Sequence, residues 1–185
     1  MLRRRNKGRI ERYDVKTFNE LTSNKVNGLG DGWTLTSRNA NHCLHVTDSS
    51  DVYRVGVLTN SDESSWLVGG NVWELSVNRS NNVLVSCHVD RVIKECSTNG
   101  SLVRSIQLQV NHVIQPVHTV KLTDSHYVVC HSGPAHGVSL MNQRGELIAT
   151  YRNSINQSIV QSITFIAYTI NIHTTYQHIF NTTNH

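Results

Sequence analysis

The chain has 185 residues, 38% of them hydrophobic and 16% charged, with a formal net charge of +4. That length bounds it to about one domain, and the modest apolar share permits a core but offers no run long enough to span a bilayer. Arg3, Arg4, Arg5, Lys7 and Arg9 are five of the 17 bases; the remaining 12 face 13 acids, so the body is nearly neutral and the salt-sensitive phosphate attraction of a basic body is weak.

In chain order, residues 1–9 read as a basic, disordered arm, since five charges without aromatics or a helical face carry little specificity. The segment MLRRRNKGRIERYDV has no apolar stretch after its charged start, and Glu11 and Asp14 come too early for a transit peptide. The expected setting is the cytoplasm, with Cys43, Cys87, Cys96 and Cys130 as reduced thiols. GRIERYDVKTFNEL, residues 8–21, reads as strand, turn, strand and supplies the outer half of a unit at residues 10–32.

Three units follow, at 33–70, 71–113 and 114–151. WTLTSRNANHCLHVTD aligns with WELSVNRSNNVLVSCH: Trp33 meets Trp73, Leu35 meets Leu75, Asn41 meets Asn81 and Leu44 meets Leu84. PVHTVKLTDSHYVVCH is a third copy, with Pro116 opposite Trp73 and Tyr127 opposite Leu84. The second unit spells out four strands: VWELSV, VLVSCH, RVIKE and SLVRSIQ. They are separated by the polar cluster NRSNN and by CSTNG, whose Asn-Gly is a hairpin signal. The third unit repeats this with PVHTVKL, YVVCH, GVSLM and ELIATY, and the first ends in the loose LTNSDESSW. Residues 152–185 hold no acid and no base after Arg152. There Ile166, Tyr168, Ile170 and Ile172 alternate with small or polar residues, which reads equally as a partial further unit or as sequence that does not belong to the propeller.

Four antiparallel strands every forty or so residues, without helices, predict an all-β fold: a partial β-propeller of about three four-stranded blades plus half a blade, residues 10–32 being the outer half. A β-sandwich also has short, regularly spaced strands, but it does not require unit-to-unit identity in both first and second strands. Trp33, Trp73, Leu44, Leu84 and Tyr127, at matched positions, are expected to pack between blades. An incomplete ring leaves strand edges to be covered, by further copies or by chain beyond a truncated propeller.

The units resemble NHL repeats, a branch of the six-bladed propellers, over about residues 10–151. That family's second strand ends in Asp, and a short polar loop leads to Arg and then Ile or Val. LHVTDSSDVYRV places Asp48, Arg54 and Val55 in those roles; LVSCHVDRV keeps Arg91 and Val92 but has His88 for the Asp; YVVCHSGPAHGV has His131 for the Asp and Gly137 for the Arg. The resemblance implies loops that present a binding surface, with Arg54, Arg91, His88 and His131 as candidate contacts. The function expected is a non-catalytic scaffold for a protein partner. The alternatives are single-stranded RNA binding on a propeller face and, by fold analogy, a metal-dependent hydrolase or lyase.

No catalytic residues, metal or cofactor are expected. Cys87-His88 and Cys130-His131 hold zinc-type ligands, but neighbours in a strand point to opposite faces. Asp31, Asn71 and Gln115, just before the first strands, are thin ligands for an axial ion.

Overall fold

The computed structural model describes residues 2–3, 9–14, 16–26, 28–29, 34–38, 43–48, 50–56, 64–109, 115–132 and 137–152. Every element among them is a strand. Trp33, Asp31 and the tail from 153 onward lie outside the described residues.

The strands form four antiparallel sheets in chain order. The first is β1 (Leu2–Arg3), β2 (Arg9–Tyr13) and β3 (Glu20–Lys25). The second is β4 (Thr34–Arg38), β5 (Cys43–Thr47), β6 (Asp51–Gly56) and β7 (Ser64–Leu67). The third is β8 (Val72–Val77), β9 (Val83–Cys87), β10 (Val92–Cys96) and β11 (Leu102–Gln107). The fourth is β12 (Gln115–Lys121), β13 (His126–Ser132), β14 (Gly137–Asn142) and β15 (Leu147–Arg152). Each four-stranded sheet corresponds to one repeat unit, its strands hydrogen-bonded in sequence order.

The described part of residues 1–9 differs from the disordered arm expected there. Leu2 pairs with Arg12 and Arg3 with Glu11, so the first sheet has three strands rather than two. The backbone N–H and C=O groups along β2 accept a neighbour whatever its side-chain charge.

Strand alternation sends each sheet's two faces to different neighbours. In β5, Leu44 and Val46 join Ile10, Val26, Leu29, Tyr53 and Val55 in a core between the first and second sheets. In β9, Val83, Val85 and Cys87 join Val52, Val72 and Leu75 between the second and third, with Trp66, Val68 and Val92 packed alongside. Leu84 takes the opposite face and packs with Ile93, Ile106, Leu108, Tyr127, Val129 and Met141 between the third and fourth. Leu44, Leu84 and Tyr127 are therefore inter-sheet core residues. The first strands β4, β8 and β12 lie side by side.

The outer hairpins lock successive sheets. Gly100 and Gly145 close the β10–β11 and β14–β15 turns with φ of 89° and 78°. A Cβ on Gly100 would lie 2.5 Å from Cγ of Trp66, and one on Gly145 would lie 2.0 Å from the carbonyl oxygen of Gln107. Each turn thus rests on the last strand of the preceding sheet, at a distance only glycine permits.

Candidate functional site

In the third sheet, the turn between second and third strands, residues 88–91, lies at the same end as the connector from the sheet before, residues 68–71. They are tied together: the His88 N–H donates to the Asn71 carbonyl at 2.9 Å, and Lys94 Nζ donates to the Val68 and Gly69 carbonyls, each at 2.6 Å. Gly70, with φ of 104°, lets the connector pass so close to Asp90 that a Cβ would lie 2.3 Å from its carboxylate.

Trp73 sits just beyond this junction. Val72 pairs with Cys87 and Glu74 with Ser86, so Trp73 is the extra residue of a β-bulge. The bulge turns the indole out of the sheet, and it stacks on the His88 imidazole with ring centres 4.5 Å apart. Trp73 is 43% exposed and neighbouring Val89 62% exposed. This corrects the expectation that Trp73 packs between blades: its alignment with Trp33 held in sequence, but the bulge reverses which way the side chain faces. His88 is anchored in turn, its Nδ1 3.3 Å from the Pro116 carbonyl oxygen of the fourth sheet. The result is a rigid, half-exposed aromatic platform beside the exposed side chains of Val89, Asp90 and Asn71.

The other candidate contacts are dispersed. Arg91 shares the β9–β10 turn with His88; it holds a left-handed backbone with φ of 55°, and its carbonyl accepts from Leu108 N–H at 3.0 Å. Arg54 is half-buried within β6, in register with His45 and Ser64. His131 is buried on β13, its Nε2 3.1 Å from Ser139 Oγ. His88 and Arg91 come together; Arg54 and His131 do not join them.

Asp48 caps its turn in the second sheet: its carboxylate accepts from the Ser50 and Asp51 amides at 3.1 and 3.0 Å and from the Tyr53 hydroxyl at 3.1 Å. The cysteines are buried, and burial pushes the Cys87 and Cys130 thiols up to about 11 and about 12, so neither supplies a thiolate at neutral pH. Among the described residues no three His, Cys, Asp or Glu side chains converge to hold a metal ion. No helix among them is long and apolar enough to cross a membrane.

Two buried constellations escape sequence reasoning because they join residues on different strands or sheets. Glu95, only 2% exposed, accepts from Asn78 Nδ2 at 2.7 Å, Asn82 Nδ2 at 2.8 Å, Lys121 Nζ at 3.2 Å and Tyr127 Oη at 3.3 Å. The other is His45 against Trp66, with ring centres 5.9 Å apart in an edge arrangement. The only sequence trace of either is a charged or imidazole residue at a position where the strand pattern asks for an apolar one.

No family model and no curated protein matches the chain. Solved structures do. Hydrazine synthase of Kuenenia stuttgartiensis aligns with a TM-score of 0.63 at 14% identity, over 79% of this chain and 43% of that one. Virginiamycin B lyase of Staphylococcus aureus aligns with a TM-score of 0.63 at 12% identity, over 80% of this chain and 50% of that one. A Bacteroides caccae protein of unknown function aligns with a TM-score of 0.60 at 12% identity, over 81% and 61%. The chain spans about half the length of the two enzymes. At these identities the likeness is one of fold, and the fold it establishes, with the repeat and the sheet order, is an all-β partial propeller of antiparallel four-stranded blades.

Proposed function

We propose that this chain is a non-catalytic binding scaffold that engages a protein partner through the propeller end carrying Trp73 and His88. One observation carries the reading: an indole lifted from its strand by a bulge, fixed by stacking, and left half-exposed beside an exposed valine. Tryptophan anchors with little freedom left to lose are what dominate the energetics of protein interfaces. Within this reading the blades are of NHL type. The Asp48 turn supports that assignment, its carboxylate capping the turn that follows the second strand; Arg54 and Arg91 are not equivalent in register, Arg54 matching Lys94.

Single-stranded RNA is a second reading. Arg3 and Arg9 lie on the paired strands β1 and β2, and the sequence between them adds Arg4, Arg5 and Lys7. Single-stranded binders pair such basic side chains with exposed aromatic rings on which bases stack, and Trp73 is such a ring.

The test is quantitative cross-linking capture from cells with the full chain and with Trp73→Ala, each checked for unchanged far-ultraviolet circular dichroism. The expected result is a defined protein set lost by Trp73→Ala and indifferent to nuclease. Capture that is identical for both chains would overturn the platform as the contact. Capture abolished by nuclease, and falling steeply with salt, would replace the protein reading with the RNA one.

A further inference from the structure

His45 lies in β5 on the face turned to the third sheet, the face shared by Val52 and Trp66. It is 4% exposed, and neither ring nitrogen has a hydrogen-bond partner; the Trp66 indole nitrogen beside it has none either. Three unpaired polar atoms around one aromatic contact are uncommon in a folded core. The imidazole is tolerable there only while neutral.

The charges around it explain why. Directly opposite His45 in register are Thr36 on β4 and Arg54 on β6. From the third sheet, β8 presents Val72 and Leu75, β9 presents Val83, Val85 and Cys87, and β10 presents Val92, Lys94 and Cys96. The acids of that sheet's strands are turned the other way: Glu74 Oε1 is 3.1 Å from His118 Nδ1, and Glu95 meets Lys121. Asp90 stands at the rim, against Gly70. Among the described residues, the charged groups facing this joint from its strands are therefore Arg54 and Lys94, both cations, while the exposed Asp90 carboxylate acts on Cys87 at the rim. Buried charges need a paired counter-charge.

We propose that the His45–Trp66 contact is an acid-sensitive latch between the second and third blades: a proton on the buried imidazole finds the Arg54 cation opposite it and, among the described residues, no carboxylate facing it, and the two blades separate. Burial, and next the Arg54 charge, depress the His45 pKa from 6.5 to about 4 in the folded chain. A folded-state value below the unfolded one means that the neutral imidazole's contribution is complete above about pH 6.5. It is lost as pH falls from there toward 4. Separation also releases the connector after Trp66, which Lys94 holds through the Val68 and Gly69 carbonyls.

The experiment follows hydrogen exchange of the full chain by mass spectrometry from pH 7 to pH 4, corrected for intrinsic exchange. The wild type should lose protection in β5–β10 between pH 6 and 4, by roughly a hundredfold in the opening equilibrium for a shift of this size, while β13 and β14 stay protected. His45→Leu and His45→Gln should each remove that acid transition. Trp66 emission, isolated as the difference from Trp66→Phe, should change over the same range and return on neutralisation. The same acid transition in both His45 variants would overturn the latch. So would a His45 imidazole that titrates near 6.5 by NMR, a readout that needs no substitution.

Discussion

The carboxylate of Glu95 is the most heavily bonded side chain among the described residues, and its chemistry sets how sheets three and four adhere. Burial raises its pKa, but hydrogen bonds from Asn82, Lys121 and Asn78 and the Lys121 charge outweigh that and hold it below the usual value. Tyr127 bonds the same carboxylate, and its own hydroxyl is pushed up to about 12 by burial and by Glu95. Removing the acceptor leaves the Lys121 ammonium, with a side chain 12% exposed, without its buried counter-charge. Glu95→Ala is expected to cost about 3 kcal/mol in urea-unfolding free energy, and Glu95→Gln somewhat less because it keeps an acceptor. Since the folded pKa lies below the unfolded one, this contribution is present above about pH 4.5 and fades as pH falls through the folded value. Acid lability through His45 begins at a higher pH than that through Glu95, so an acid titration of Glu95→Gln should keep the upper phase and lose the lower one. Arg91 offers the opposite case. Its φ of 55° is costly for any residue but glycine, so Arg91→Gly should raise stability by about 1 kcal/mol in the same assay while deleting a candidate contact.

The hairpins and connectors are where local geometry and blade packing meet. Gly69 and Gly145 both adopt a positive φ, 67° and 78°, but their surroundings differ. The nearest atom to a Cβ on Gly69 would be the flexible Lys94 Nζ at 3.7 Å; on Gly145 it would be backbone of β11. Gly69→Ala should therefore cost only the conformational penalty, about 1 kcal/mol. Gly145→Ala should cost at least about 2 kcal/mol and lower the Tm correspondingly, because β11 has to move. Elements of this kind were legible wherever polar turn clusters bracket clean alternation. VWELSV was expected at 72–77 and is β8; the third unit's strands fall within a residue of expectation. The loose LTNSDESSW showed no alternation, and the strand there, Ser64–Leu67, is short and mostly exposed. Leu2–Arg3 is too short to show a period and lies in a run of charge that reads as arm. The platform was illegible for a different reason: a bulge changes side-chain direction without changing composition, so Trp73 and Trp33 look alike in sequence. The Glu95 cluster reaches as far as Tyr127, 32 positions from Glu95, and only the stacking of sheets brings the two together.

At the scale of the whole molecule, the three hydrophobic cores among the described residues are joints, each lying between consecutive sheets. A chain built this way behaves as a near one-dimensional array, whose stability is the sum of its blades and their nearest-neighbour interfaces. Damage at one joint should then stay near it. Tyr127 is fully buried in the joint between the third and fourth sheets, and Leu44 is buried in the joint between the first and second. Tyr127→Ala removes an aromatic ring and a donor to Glu95, a loss of about 3–5 kcal/mol. Leu44→Ala removes about 2–5 kcal/mol of packing two sheets away in chain order. In native-state hydrogen exchange at pH 7, Tyr127→Ala should deprotect β12–β15 and the Leu84 face of β9 while β4–β6 retain their wild-type rates. Leu44→Ala should do the reverse, loosening β2, β5 and β6 and sparing β13 and β14. A uniform loss of protection in both variants would mean that the blades open as one cooperative unit, and the latch at His45 would then have to act on the whole array rather than on a single joint.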